Sequence, residues 1–124
     1  MNKVGVKFLA GTDVTNPYCF PGFSLHDELA LLVSDAQFTP LQALRCATSN
    51  PAIFLGLEKD LGTIEKGKIA DLVLLDANPL DDIKNTQKIA GVFAAGRYLP
   101  KTELQKMLKE AETPLPTSNS DKTH

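Results

Sequence analysis

The residue of this chain best placed to do chemistry is Asp13, which closes Gly11-Thr12-Asp13 directly after an alternating apolar run, Val4 to Ala10. A carboxylate at the end of a strand is a candidate proton acceptor. Taken alone it is also a common turn residue, so the tripeptide leaves both roles open. His26 is the second candidate. It falls near the start of an expected helix, where the helix dipole disfavours a charged imidazole, and its simpler role is that of a packed or solvent-facing helix residue. Cys19 falls in a loop and Cys46 in a helix; two lone cysteines suggest neither a disulfide framework nor a zinc knuckle, so both read as free thiols. Tyr18, Phe20 and Phe23 can line an apolar pocket or pin their loop to the body, with core packing expected of at least one. Lys66 and Lys68 read as solvated turn charges, and Phe54, Leu55 and Leu57 as core.

These side chains need elements to hold them. The alternation of Val4, Val6, Phe8 and Ala10 predicts a strand over 4–11. A loop of about a dozen residues follows to Phe23, a length at which loops are often functional. Ser24 can cap a helix with Asp27 and Glu28 in its first turn and Leu25, Leu29, Leu32 and Val33 on its apolar face, ending near Ala36. Thr39, Pro40 and Gln42 form a capping box with proline at the first helical position, opening a second helix that buries Leu41, Leu44 and Ala47 or Thr48. Asn50-Pro51 repeats the cap for a short third helix stopping at Gly56.

Beyond Leu61 the pattern changes to strands. Glu65-Lys66-Gly67-Lys68 is a turn whose glycine can take positive φ. Asp71 to Asp76 encloses a buried strand. Ile89 to Ala94 is another, and Gly96 turns it into Arg97-Tyr98-Leu99. Thr102 can cap a last amphipathic helix using Leu104, Met107 and Leu108, and the Pro-, Ser- and Thr-rich stretch after Thr113 reads as a flexible tail. The first strand has no partner nearby in sequence. A buried strand standing alone leaves its backbone unpaired, so it is expected to belong to a sheet mostly absent from this chain.

The composition is that of a globular protein: 124 residues, 43% hydrophobic and 23% charged, with a net charge of -2. The 13 basic residues are scattered, which argues against nucleic acid and anionic membranes as partners. No apolar run is long enough to span a bilayer, and no leader peptide is visible. The cytoplasm is the expected compartment, with a leader on an upstream segment left open.

Gly62-Thr63-Ile64-Glu65-Lys66-Gly67-Lys68-Ile69-Ala70-Asp71-Leu72-Val73-Leu74-Leu75-Asp76 closely resembles a segment of the amidohydrolase superfamily. Thr39-Pro40-Leu41-Gln42-Ala43-Leu44-Arg45-Cys46-Ala47-Thr48-Ser49-Asn50-Pro51-Ala52 resembles the family's preceding helical stretch. Gly11-Thr12-Asp13 sits where the family keeps its last barrel strand and its aspartate. Ser24-Leu25-His26-Asp27-Glu28-Leu29 resembles the branch with imidazolonepropionase-like and Xaa-Pro-dipeptidase-like members. The resemblance spans about residues 4–110 in order.

The resemblance implies an α/β fold, the carboxy-terminal portion of a TIM-barrel hydrolase with part of a small composite β-domain. It divides the chain into 1–58 (last barrel strand and helices), 59–100 (strands of the small domain), 101–112 (terminal helix) and 113–124 (tail). It implies a metal-dependent enzyme cleaving carbon–nitrogen bonds in a small amide or peptide-like substrate. Asp13 is then the catalytic residue and a metal ligand, accepting the proton of a metal-bound water and passing it to the leaving nitrogen. His26 is then a substrate contact at the barrel mouth. The metal implied is zinc or manganese.

The departures weigh equally. The chain has only His26 and His124 and no His-x-His, while a catalytic zinc takes three protein ligands. No metal is expected on this chain alone, and self-association is expected of its open apolar faces. Two other readings stay open: a sugar-amide deacetylase-like branch, and a binding or assembly module that kept the scaffold without chemistry.

Overall fold

The computed structural model describes residues 6–13 and 19–112. The polypeptide runs through three helices, α1 (Phe23–Ser34), α2 (Pro40–Ala47) and α3 (Ser49–Phe54), into strand β1 (Leu72–Leu75). A 3-10 turn (Ile83–Gln87) then leads to strands β2 (Ile89–Ala94) and β3 (Arg97–Pro100) and helix α4 (Lys101–Glu112). Val4, Gly5, Tyr18, the 113–124 tail and His124 lie outside the described residues.

The capping box is formed as the sequence predicts. Thr39 Oγ1 accepts from the Gln42 amide at 3.3 Å, and the Gln42 side chain accepts from the Thr39 amide at 2.9 Å. Three other caps differ from expectation. Helix α1 starts two residues earlier, with Gly22 at its cap in a left-handed conformation (φ 83°) that a glycine adopts freely. Ser24 therefore lies inside the first turn, where its hydroxyl accepts from the Phe20 amide at 2.7 Å. Helix α3 starts at Ser49 after Thr48, whose hydroxyl donates to the Leu44 carbonyl rather than capping, and Asn50 inside the helix donates to the Phe8 carbonyl. Thr102 likewise lies inside α4, which leaves β3 directly at Lys101.

The helical core is small. Leu29 of α1, Ala43 of α2 and Ile83 of the 3-10 turn are buried together, with Leu32, Val33, Leu44 and Ala47 packed around them. The inward face of α2 is rotated from the expected one: Ala43 and Cys46 are buried and Leu41 is exposed. Small residues at the contact let α1 and α2 approach closely. Phe54 and Leu55, expected in the core, are 75% and 65% exposed, and Leu57 is also exposed, because α3 is too short to have both its flanks covered by the described residues.

The sheet is antiparallel in the order β1-β2-β3, with Val73 opposite Val92 and Val92 opposite Leu99. Ala95 and Gly96 connect β2 to β3, both at positive φ, as a two-residue hairpin of the primed type requires. Asp71 accepts from the Ala95 amide at 2.6 Å and so holds this turn. Helix α4 packs on β2 and β3. No helix among the described residues is long and apolar enough to cross a membrane.

Of the expected strand over 4–11, the described residues 6–11 join no ladder. A ladder needs a neighbouring strand, and none lies alongside among the described residues, so the backbone polar groups of this segment turn to the helices instead.

Candidate active site

Three helices grip the segment that ends in Asp13. The Asn50 side-chain amide of α3 donates to the Phe8 carbonyl at 2.8 Å. The Ala10 amide donates to the Cys46 carbonyl of α2 at 2.9 Å. The Gly11 amide donates to Glu28 Oε1 of α1 at 2.7 Å. Phe8 adds an edge-on contact to Phe38, with ring centroids 5.3 Å apart. Beyond these anchors Asp13 takes a left-handed backbone (φ 51°), a conformation aspartate tolerates better than most residues, and it is exposed. The structure therefore places an accessible carboxylate at the end of a segment whose position is set from three sides.

Glu28 is the unusual member of this group. Its Oε1 is engaged by Gly11, while its Oε2 is buried with no hydrogen-bond partner among the described residues. Cys46 lies close behind it. Burial pushes the Cys46 thiol above its ordinary range, and the Glu28 carboxylate pushes it further in the same direction. Cys46 is buried and free, whereas free Cys19 is partly exposed.

His26 belongs to different surroundings. Residues two apart on a helix point about 200° away from each other, so His26 and Glu28 leave α1 on opposite sides. His26 Nδ1 lies 3.1 Å from Thr86 Oγ1, and the Thr86 hydroxyl donates to the Ile83 carbonyl at 2.9 Å. With that proton committed, Thr86 can only accept from His26, which fixes the proton on Nδ1 and leaves Nε2 free to accept when the ring is neutral. The ring borders a cleft of about 800 Å³ between the start of α1, strand β2 and α4, walled by Phe23, Ile89, Val92, Leu104 and Met107. Asp13 does not line this cleft. The two candidate residues are thus not brought into one pocket.

Of the aromatic loop residues, Phe23 lines the cleft and Phe20 is exposed, while Tyr18 lies outside the described residues. Lys68 is no solvated turn charge: its side chain is 12% exposed, and its ammonium group donates to the Glu58 carbonyl and Thr63 Oγ1. That network, led by the Thr63 hydroxyl and joined by Lys68, lowers the Glu65 carboxyl below its usual range. Among the described residues no three His, Cys, Asp or Glu side chains converge into a metal-holding group. The described donors alone do not complete a divalent-metal site.

Sequence reasoning passed over Glu28 and Asn50 as anchors. A signal for Glu28 was present: it is spaced three and four residues from Leu25 and Leu32, on the apolar side of α1, where an acid is out of place. Asn50 carried no such signal, because a helix cap explained it equally well.

Comparison with known proteins bears on what this arrangement serves. The chain is 37% identical over 87 residues to an ochratoxinase of Aspergillus niger, covering 69% of this chain and 17% of the relative. It is 36% identical over 118 residues to an imidazolonepropionase of Shouchella clausii, covering 86% of this chain and 26% of the relative. A crystal structure of a Xaa-Pro dipeptidase with bound methionine superposes with a TM-score of 0.70 at 30% identity, over 80% of this chain and 23% of that one. The chain thus spans about a quarter or less of the length of these proteins. Residues 1–99 match the amidohydrolase family profile, and the chain belongs to the amidohydrolase family.

Proposed function

We propose that this chain is the carboxy-terminal part of a metal-dependent hydrolase that cleaves carbon–nitrogen bonds in small amide or peptide-like substrates. Residues 1–58 contribute to its barrel, 59–100 to a small β-domain, 101–112 a terminal helix and 113–124 a tail. The observation that carries the reading is the pinned segment 6–13, which ends in an exposed carboxylate within the amidohydrolase match. Relatives named ochratoxinase, imidazolonepropionase and Xaa-Pro dipeptidase support the substrate class.

In this reading Asp13 accepts a proton from the attacking water and returns it to the leaving nitrogen. Asp13 takes a left-handed backbone and is exposed to solvent. His26, with Nε2 available to accept, contacts substrate from the neighbouring cleft. Any divalent metal, zinc or manganese, draws its remaining ligands from outside the described residues.

The test is Asp13→Asn in the longer polypeptide that carries this segment, assayed with zinc or manganese on an amide and dipeptide panel. Asparagine keeps size and hydrogen bonding but cannot take the proton, so turnover should fall on the order of a hundred- to ten-thousand-fold while melting temperature changes little. Normal turnover in this variant refutes the role of Asp13. A turn aspartate would instead show roughly a kilocalorie of lost stability or less, with turnover intact.

A further inference from the structure

We infer that Glu28 is the positioning residue of Asp13, acting through the Gly11 amide. The inference rests on the hydrolase reading above. Only Thr12 separates Gly11 from Asp13, so the orientation of the Gly11 peptide plane sets where the Asp13 carboxylate emerges. Of the three anchors on segment 6–13, the Glu28 contact lies closest to Asp13 and is the only one made by an acidic side chain. Hydrogen bonds to a charged acceptor are shorter and stronger than neutral ones, which suits a contact that must hold a plane in place.

The second observation is the cost at which this contact is kept. An acid on α1 could turn to water. Glu28 instead turns inward, with Oε2 buried and unpartnered among the described residues. Burying a carboxylate oxygen without a donor is unfavourable, and it raises the proton affinity of the nearby Cys46 thiol as well. The core of the helical layer gains nothing from an acid here that a leucine or methionine would not supply. The gain lies in what Oε1 does for the turn that presents Asp13. Asn50 and the Cys46 carbonyl fix the height of the segment, and Glu28 fixes its final rotation.

The experiment compares Glu28→Ala and Glu28→Gln. Glutamine keeps an oxygen for the Gly11 amide; alanine removes it. In the 124-residue chain, nuclear magnetic resonance reads hydrogen exchange at the Gly11 amide and the Asp13 Cα and Cβ shifts, which report its backbone angle. Alanine should speed Gly11 exchange and move the Asp13 shifts, with the Gln42 amide of the capping box unchanged; glutamine should leave all three near wild type. In the longer polypeptide, alanine should lower kcat about ten- to a hundredfold with KM within about twofold, and glutamine should recover most of it. If the alanine variant does not fold, Glu28→Asp, which shortens the reach by one carbon, is read at the same amides. Unchanged Asp13 shifts, or an unchanged kcat, in a folded variant lacking the contact overturns the inference. If the wild-type protein turns over no substrate, the hydrolase reading fails, and the shifts alone still decide whether Glu28 sets Asp13.

Discussion

Cys46 shows how closely the buried groups behind Asp13 are coupled. Its thiol is raised by burial first and by Glu28 second. A raised folded-state value means that the unfolded chain releases this proton at lower pH than the folded one. Stability from this group is therefore fully present below the ordinary thiol value of about 8.5 and is lost as pH rises through the folded value. Denaturant titrations between pH 7 and 10 should show the wild type losing stability more steeply than Cys46→Ala, and parallel curves would contradict the assignment. A thiol reagent should modify partly exposed Cys19 quickly and buried Cys46 only as the chain opens. Asp13 stands out in the sequence through its place in a family pattern. Its supports do not: Glu28 looks like a first-turn acid and Asn50 like a cap, because the contact each makes crosses 17 and 42 residues of sequence respectively. Local rules of helix chemistry hold no information about such partners.

At the scale of elements, local signals located helices and strands well where the chemistry was local. Thr39-Pro40-Gln42 marked the start of α2, and β2 occupies the expected span from Ile89 to Ala94. The strand over 4–11 failed because a strand is a pairing, not a property of eight residues. Gly62 illustrates a need that sequence could mark but not explain. It has φ 89°, and a Cβ there would sit 2.7 Å from the Ala52 Cβ and 3.0 Å from the Ser49 Cα of α3. Gly67 has a similar φ of 94° but open space around it. Gly62→Ala should therefore cost on the order of 2–4 kcal/mol, combining backbone strain with a steric clash. Gly67→Ala carries the backbone strain alone, about 1 kcal/mol. Thermal melts of the two variants side by side check the difference; equal shifts would mean that α3 yields to the added methyl.

At the scale of the whole molecule, the balance of buried and exposed apolar surface is that of a part made to be covered. The core cluster rests on Leu29, Ala43 and Ile83, while Ile64 is 84% exposed and Phe54, Leu55, Val73 and Leu74 all face outward. Large apolar side chains left in water in this way favour association. The outer β1 edge is a further template for pairing with another chain. The sequence announced this only indirectly, through a first segment without a partner; the exposed flank of α3 was invisible to it, since Phe54-Leu55 reads as core in any local pattern. We propose that the 124-residue chain self-associates through these faces. Sedimentation velocity should show species heavier than the monomer, with a monomer fraction that rises on dilution. Replacing Phe54 by Ser and Ile64 by Lys should move the distribution towards monomer without loss of helical signal, because both side chains face solvent in the single chain and contribute little to its own core. A compact, cooperatively unfolding wild-type monomer at high concentration would show that these faces are tolerated in water and would overturn the proposal.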